Sequence, residues 1–163
     1  MYQSYPCDYS LPAEWSPQSG IMLTWPHGGT DWKPYLRQIT DTYLELSEII
    51  TRYEQLLIAT PIVESTRRML ASRLSKEQMD RVHLYDIDSN DTWARDHGPI
   101  TLVSKNSHNG LIVPIHLLDF RFNGWGEKFA WQKDNAINLQ LYIKELFRLP
   151  LRTIQVLSSR VEA

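Results

Sequence analysis

Between residues 20 and 87 the sequence alternates short apolar runs with longer amphipathic stretches. The apolar runs predict three buried strands, at residues 20–25, 55–59 and 82–87. Apolar residues at three- and four-residue steps predict a helix over residues 35–53. Thr60 followed by Pro61 predicts the N-cap and first position of a second helix, which ends near residue 74. This strand–helix–strand–helix–strand order predicts an α/β layered fold with helices packed on a sheet.

The second half of the chain predicts a hairpin and another helix. Residues 100–103 and 111–118 flank Asn109-Gly110, a strong hairpin signal because both residues tolerate positive φ. Pro114 lacks an amide hydrogen, which places this arm at a sheet edge or a bulge. An aromatic, glycine-bearing loop is predicted over 119–133, a helix over 134–148 and a strand over 153–157. Residues 1–19 contain three prolines and predict an extended lead-in.

Composition narrows the class of protein. Apolar residues make up 42% of the chain and charged residues 22%, which is typical of a folded globular domain. The net charge of −2 comes without a basic stripe and argues against a nucleic-acid partner. No apolar run approaches the roughly twenty residues of a membrane span, and the N-terminus lacks the basic and apolar regions of a signal peptide. A cytoplasmic location without membrane contact is therefore expected.

Cysteine and histidine usage gives no sign of a metal site. The single cysteine, Cys7, excludes an internal disulfide and a cysteine-based zinc cluster, and no base or glycine-rich turn flanks it. The five histidines form no His-x-x-x-His or comparable ligand pair. His27, beside two glycines, is interpreted as an exposed residue of a strand-to-helix connection, although an active-site turn is the alternative. We expect neither a metal nor a cofactor.

The stretch most suggestive of chemistry covers residues 86–99. Four carboxylates fall within eleven residues there: Asp86, Asp88, Asp91 and Asp96. Trp93 lies among them, and a carboxylate beside an indole suits an organic cation, through a two-pronged hydrogen-bonded fork and a cation–π contact. A structural alternative stays open, in which Arg95 pairs with Asp86 or Asp88 and Trp93 anchors the core.

Three blocks of the sequence, taken together, carry a family resemblance. They are Leu11-Pro12-Ala13-Glu14-Trp15-Ser16-Pro17-Gln18-Ser19-Gly20 with Thr24-Trp25-Pro26-His27, then Asp91-Thr92-Trp93-Ala94-Arg95-Asp96-His97-Gly98-Pro99, then Phe122-Asn123-Gly124-Trp125-Gly126 with Lys128-Phe129. In order and in residue type, they resemble the agmatine deiminase / Porphyromonas-type bacterial peptidylarginine deiminase family. The resemblance covers about residues 11–140.

The resemblance implies a fold and an activity. The implied fold class is α/β, and the implied architecture is a pentein-type α/β-propeller. This chain would form part of it, about two of five ββαβ-type units. Residues 1–163 would be the N-terminal part of a single deiminase catalytic domain. The full-length family hydrolyses agmatine to N-carbamoylputrescine and ammonia, a reaction of putrescine and polyamine biosynthesis, through a covalent cysteine intermediate and without a cofactor. The implied partner is a small guanidinium substrate, and the resemblance is compatible with a homo-oligomer of the full-length form.

The resemblance also assigns roles to individual residues. Asp96 matches the family's guanidinium-gripping aspartate and is the expected catalytic and substrate-binding carboxylate. Trp93 matches a tryptophan of the pocket wall, and Trp125 is a second candidate for that wall. Asp91 is expected to support the loop, and Arg95 to tie it down.

This sequence also departs from the family pattern. The family's second guanidinium carboxylate, in a Glu-Gly-Gly segment, is expected just past residues 153–157, where the chain reads Ser158-Ser159-Arg160-Val161-Glu162-Ala163. The nucleophilic cysteine and the general-base histidine would lie beyond it and are not present in this chain. We therefore expect the chain to be inactive alone. The alternatives are a peptidylarginine deiminase that converts arginine to citrulline, and a non-catalytic guanidinium-binding remnant.

Overall fold

The computed structural model describes residues 9–105, 115–144 and, as backbone, 155–157, and this part of the chain forms two sheets. The strands are β1 (Tyr9–Ser10), β2 (Gly20–Thr24), β3 (Gln55–Thr60), β4 (Val82–Asp86), β5 (Ile100–Ser104), β6 (Ile115–Phe120) and β7 (Gln155–Leu157). The helices are α1 (Leu36–Ile50), α2 (Val63–Ala71), α3 (Lys76–Met79), α4 (Ala94–His97), α5 (Gly124–Glu127) and α6 (Gln132–Ile143). None of the helices in these ranges is both long and apolar enough to cross a membrane.

The first sheet is parallel, in the order β2-β3-β4. Its register aligns Leu23 with Ile58 and Ile58 with Leu84. Parallel neighbours need a crossover of a dozen or more residues, and the α1 and α2 segments provide it. The predicted strand–helix–strand–helix–strand order is confirmed.

Both faces of this sheet are covered. Ile58 packs in a cluster with Trp25, Leu44 and Leu70, which puts α1 and α2 on one face. Its neighbour Ala59 belongs to a second cluster with Ile87, Ile137 and Leu141 from α6. Since adjacent strand residues point to opposite faces, α6 covers the other face. Sequence order alone does not reveal that α6, more than seventy residues after β3, closes this layer.

The second sheet has the order β1-β5-β6-β7. Strands β5 and β6 are antiparallel, with Ile100 opposite Leu118, which confirms the predicted pairing of the hairpin arms. The turn predicted at Asn109-Gly110, and Pro114, lie outside the described residues. Strand β7 runs parallel to β6 within the range predicted for a last strand. The lead-in contributes β1, which pairs antiparallel with β5.

Several predicted boundaries were wrong. Thr60 is the last residue of β3 and does not cap α2, because the cap is Ile62, whose amide donates to Thr60 Oγ1 at 3.2 Å. The first helix ends at Ile50, three residues early, and α6 begins two residues early, at Gln132. The second helix also ends early, and a short α3 with a Ser75 capping box follows it.

Candidate functional site

The central stretch connects the two sheets. It leaves β4 as a loop, forms the single turn α4 and enters β5 at Ile100. The backbone at Gly98 passes so close to the carbonyl oxygen of Ala94 that a Cβ would collide with it. Glycine is therefore required at this position for a steric reason, although its φ of −68° is ordinary. The prediction of a loop held between two strands is confirmed.

His97 attaches the short helix α4 to β2 and α6. It is 2% exposed, its Nε2 lies 3.2 Å from Thr24 Oγ1, and its carbonyl oxygen accepts from Asn138 Nδ2 at 2.7 Å. Asn138 Nδ2 also donates to Asp119 Oδ1 at 2.7 Å, which links α4 to β6 through α6. Burial lowers the pKa of His97 to about 4, so its imidazole is neutral at pH 7.

Asp96, the next residue toward the N-terminus, is exposed. It lines a cavity of about 240 Å³ together with Phe120, Arg121, Phe122, Asn123 and Trp125. Within the described ranges its carboxylate has neither a hydrogen bond nor an ion pair, since the guanidinium of Arg121 lies over the ring of Trp131, 5.4 Å from its centroid. Asp96 therefore offers unoccupied acceptors to a donor in the cavity.

An aromatic cluster forms the wall beside Asp96. Trp125 meets Trp93 edge to face with ring centroids 5.8 Å apart, and it meets Phe122 at 5.1 Å and Phe129 at 5.8 Å in the same manner. Trp93 is 44% exposed and Trp125 42%, so both rings present large free surfaces. The alternative in which Trp93 anchors the core was wrong. The structure brings Trp93, Asp96 and Trp125 close together, and their roles in substrate binding stay predictions.

The backbone that presents Trp125 is unusual. Gly124, Trp125, Gly126 and Glu127 have φ values of +62°, +56°, +83° and +63°, four left-handed residues in succession. Left-handed backbone is costly for the two that carry a Cβ. Local hydrogen bonds hold the turn, including one from Gly126 N to Asn123 Oδ1 at 3.0 Å. Strain of this kind clusters at functional sites.

A larger cleft of about 590 Å³ opens on the other side of the aromatic cluster. Its lining contains aromatic side chains and three carboxylates but no lysine or arginine: Gly29, Asp31, Trp32, Tyr35, Asn90, Asp91, Trp93, Phe122, Trp125, Phe129, Ala130 and Asp134. Phe122 and Trp125 line both cavities. This arrangement attracts a cation that also has a flat or apolar surface.

The two expected support residues differ in their contacts. Asp91 Oδ1 accepts from Thr92 N at 2.8 Å, and Thr92 Oγ1 accepts from Trp32 Nε1 at 2.8 Å, so Asp91 stiffens the backbone just before Trp93. Arg95 is exposed and has no ion pair with a described residue. Asp88, which was one alternative partner for Arg95, pairs instead with Lys133 at 3.2 Å. The assignment of Arg95 to support stays a prediction.

Sequence reasoning missed several residues of the site. Asp134 was only the start of a predicted helix, yet its carboxylate is buried against the central loop and accepts from Asn90 N at 2.6 Å. His27 is half-buried rather than exposed, with its Nε2 3.1 Å from Ser89 Oγ. Acidic residues are common in the first turn of a helix, so nothing in the sequence indicated that Asp134 accepts hydrogen bonds from the central loop. No group of three or more potential metal ligands occurs in the part of the chain that the structure describes.

The chain is similar to several agmatine deiminases. The chain is 31% identical to the agmatine deiminase of C. jejuni with substrate bound, with a TM-score of 0.71, covering 89% of this chain and 40% of that one. It is 26% identical over 134 residues to the agmatine deiminase of Stutzerimonas stutzeri, covering 79% of this chain and 33% of that protein. The agmatine deiminase of Enterococcus faecalis, 20% identical with a TM-score of 0.64, shares the fold over 84% of this chain and 36% of that one.

The chain spans about a third of the length of the curated relatives it matches. Its two sheets form part of a pentein-type α/β-propeller, about two of five units, as the resemblance implied. The model of the Porphyromonas-type peptidyl-arginine deiminase family matches residues 10–157, and the chain belongs to that family.

Proposed function

We propose that this chain supplies the guanidinium-binding part of a deiminase that hydrolyses agmatine to N-carbamoylputrescine and ammonia. The observation that carries the proposal is the carboxylate of Asp96, which is unpaired among the described residues and lies in a cavity walled by Phe122 and Trp125. A carboxylate can accept two N–H groups of a guanidinium in one plane. The indole of Trp125 lines the same cavity and favours the flat cation by stacking, and Trp93 packs on Trp125 from the larger cleft.

In this proposal the chain binds and orients the substrate. Asp96 holds the guanidinium nitrogens and so fixes the face of the central carbon that is open to attack. The carbon–nitrogen bond to the departing ammonia breaks, and water supplies the oxygen of the carbamoyl product. By family resemblance the attacking group is a cysteine thiolate, but Cys7 lies in none of the matching blocks. We infer that the 163-residue chain binds agmatine without hydrolysing it.

Calorimetric titration of the 163-residue chain with agmatine tests the binding. Asp96→Ala removes charge-assisted hydrogen bonds, so we expect affinity to fall roughly ten- to a hundredfold. Asp88→Ala is the matched control, since Asp88 is an exposed carboxylate of the same loop that faces Lys133 and lines neither cavity. Putrescine, which lacks the guanidinium, should bind more weakly than agmatine. Equal binding of putrescine, or an Asp96→Ala chain that binds as well as the parent, contradicts the proposal.

Ammonia release tests the inferred lack of turnover. We expect none above background when the chain is incubated with agmatine. Release that Asp96→Ala abolishes would show that the chain is itself an enzyme.

The nearest alternative is a peptidylarginine deiminase, which the name of the matching family favours. The names of the relatives favour agmatine. An arginine residue blocked at both ends tests the difference, because it keeps the guanidinium but lacks the free amine. Binding of the blocked arginine tighter than that of agmatine would support the peptide substrate.

A further inference from the structure

Helix α6 begins without a cap of its own. Trp131 occupies the N-cap position and makes no side-chain hydrogen bond to the first turn. The first amides of a helix need acceptors from outside it. Asn90, 43 residues earlier in the chain, supplies one, since its Oδ1 accepts from Lys133 N at 2.8 Å. The loop that leads to Trp93 thus caps α6.

Helix α6 in turn accepts hydrogen bonds from this loop. Asp134, the third residue of α6, accepts from Asn90 N at 2.6 Å and from Asp91 N at 3.2 Å. In a capping box the cap side chain accepts from the first turn while the third helical residue accepts from the cap amide. Asn90 and Asp134 make that exchange between two distant segments. Asp134 is 1% exposed, whereas the hydrogen bond from Lys133 N to Asn90 Oδ1 is exposed.

The same turn of α6 also holds the Trp125 side of the aromatic wall. Asn135, which follows Asp134, accepts from Phe122 N at 2.8 Å through its Oδ1. Phe122 packs edge to face on Trp125. Consecutive residues of one rigid turn therefore hold the backbone before Trp93 and the backbone before Trp125. The separation between the two tryptophans depends on this turn.

We propose that Asn90 and Asp134 are positioning residues of the substrate site. Their reciprocal hydrogen bonds place the segment of Trp93 and Asp96 against Trp125 and so set the shape of the aromatic wall beside Asp96. The role in binding rests on the proposed function, whereas the placement of Trp93 can be tested without a ligand. Neither residue needs to touch the guanidinium.

The ligand-free test is an ¹H–¹⁵N spectrum of the 163-residue chain, in which the six tryptophans give indole signals and Trp93→Phe identifies that of Trp93. Asn90→Ala and Asp134→Ala should move the Trp93 signal, because its indole lies edge to face with Trp125. Asp134→Asn keeps an acceptor for the Asn90 amide but turns an N–H group toward the Asp91 amide, so it should move the Trp93 signal less than Asp134→Ala does. Asp88→Ala, two residues from Asn90, should leave it in place.

The second readout is agmatine affinity, measured on variants that retain cooperative thermal unfolding. We expect Asn90→Ala and Asp134→Ala to weaken binding about tenfold, which corresponds to the loss of a hydrogen-bonded contact. Asp88→Ala should stay close to the parent chain, since Asp88 lines neither cavity. If Asp134→Ala does not fold, Asn90→Ala carries the test.

The two proposals fail in different ways. A Trp93 signal that Asn90→Ala leaves unmoved overturns the positioning role, whatever the affinity. A parent chain that binds no agmatine, with a Trp93 signal that moves as expected, contradicts the proposed function and keeps the positioning role. An Asn90→Ala chain that binds agmatine as tightly as the parent, although its Trp93 signal moves, overturns the role of the hydrogen bonds in binding.

Discussion

Trp93 and Trp125 meet edge to face, yet the chain holds them in different ways. Trp93 has an ordinary φ of −78°, and the backbone before it is fixed by Asp134, more than forty residues away. Trp125 is held by its own neighbourhood, a run of left-handed residues closed by local hydrogen bonds. The Trp93 side of the aromatic wall therefore depends on tertiary contacts, whereas the Trp125 side depends on local backbone conformation in addition to the hydrogen bond from Phe122 N to Asn135 Oδ1.

This difference predicts which substitutions should disturb the Trp93 side of the aromatic wall and which should disturb the Trp125 side. The Trp93 segment should respond to changes in α6 and in the buried groups beneath it. The Trp125 segment should respond to substitutions that alter its preference for positive φ.

Gly124→Ala should have the largest effect and should break the Trp125 side. The new Cβ would lie 2.6 Å from the carbonyl oxygen of Phe129 at a φ of +62°. Strain and overlap together should lower the free energy of unfolding by about 4 kcal/mol. Gly126→Ala is the matched control, since its φ is +83° but nothing lies within 4 Å. Urea denaturation should show a loss of only about 1 kcal/mol there, and equal losses would contradict the steric argument.

Acidic pH should destabilise the Trp93 side, because it protonates the buried His97 of α4. Burial lowers the pKa of His97 to about 4, whereas the unfolded chain has an ordinary value near 6.5. Between these values the unfolded state binds the additional proton, so stability falls as pH falls from 6.5 toward 4. The full loss is about 3 kcal/mol.

Urea denaturation across this pH range measures the slope. His97→Gln should flatten it, and His83→Gln, on exposed β4 surface, should not. A slope that His97→Gln leaves unchanged would assign the acid sensitivity to other groups.

Alanine and glycine at the two tryptophan positions sharpen the comparison. Both substitutions at Trp125 remove its ring contacts, but glycine also relieves the left-handed strain. Trp125→Gly should therefore be about 1 kcal/mol more stable than Trp125→Ala. At Trp93, where φ is negative, the order should reverse by about 0.5 kcal/mol because glycine only adds unfolded-state entropy. The same order at both positions, measured by thermal unfolding, would contradict the distinction.

Lys133→Ala should have the smallest effect. Its ion pair with Asp88 also joins α6 to the central loop, but the two side chains are 52% and 62% exposed. Such pairs contribute less than about 1 kcal/mol and weaken in salt. The Lys133 amide that Asn90 accepts from remains in the variant. We expect a small shift in Tm at low salt that vanishes in 1 M NaCl, and a large shift that persists would contradict this.

Much of the site was predictable because its signals are local. Asp91, Trp93 and Asp96 fall within six residues of one loop between two strands, and Trp125 lies in a short glycine-bearing block. Asp134 and Asn90 were not predictable as partners. In the sequence, Asp134 is an ordinary acidic residue in the first turn of a helix and Asn90 is an ordinary loop residue. Only the tertiary structure shows that they exchange hydrogen bonds.

The sequence by itself determined the strand and helix periods and the antiparallel pairing of β5 with β6, because side-chain periodicity and backbone preference act over a few residues. The tertiary structure decided which face α6 covers, which loop caps it and how far Trp93 stands from Trp125. Those outcomes depend on which distant surfaces bury one another, since a buried amide or carboxylate must find its partner wherever the packed chain brings one.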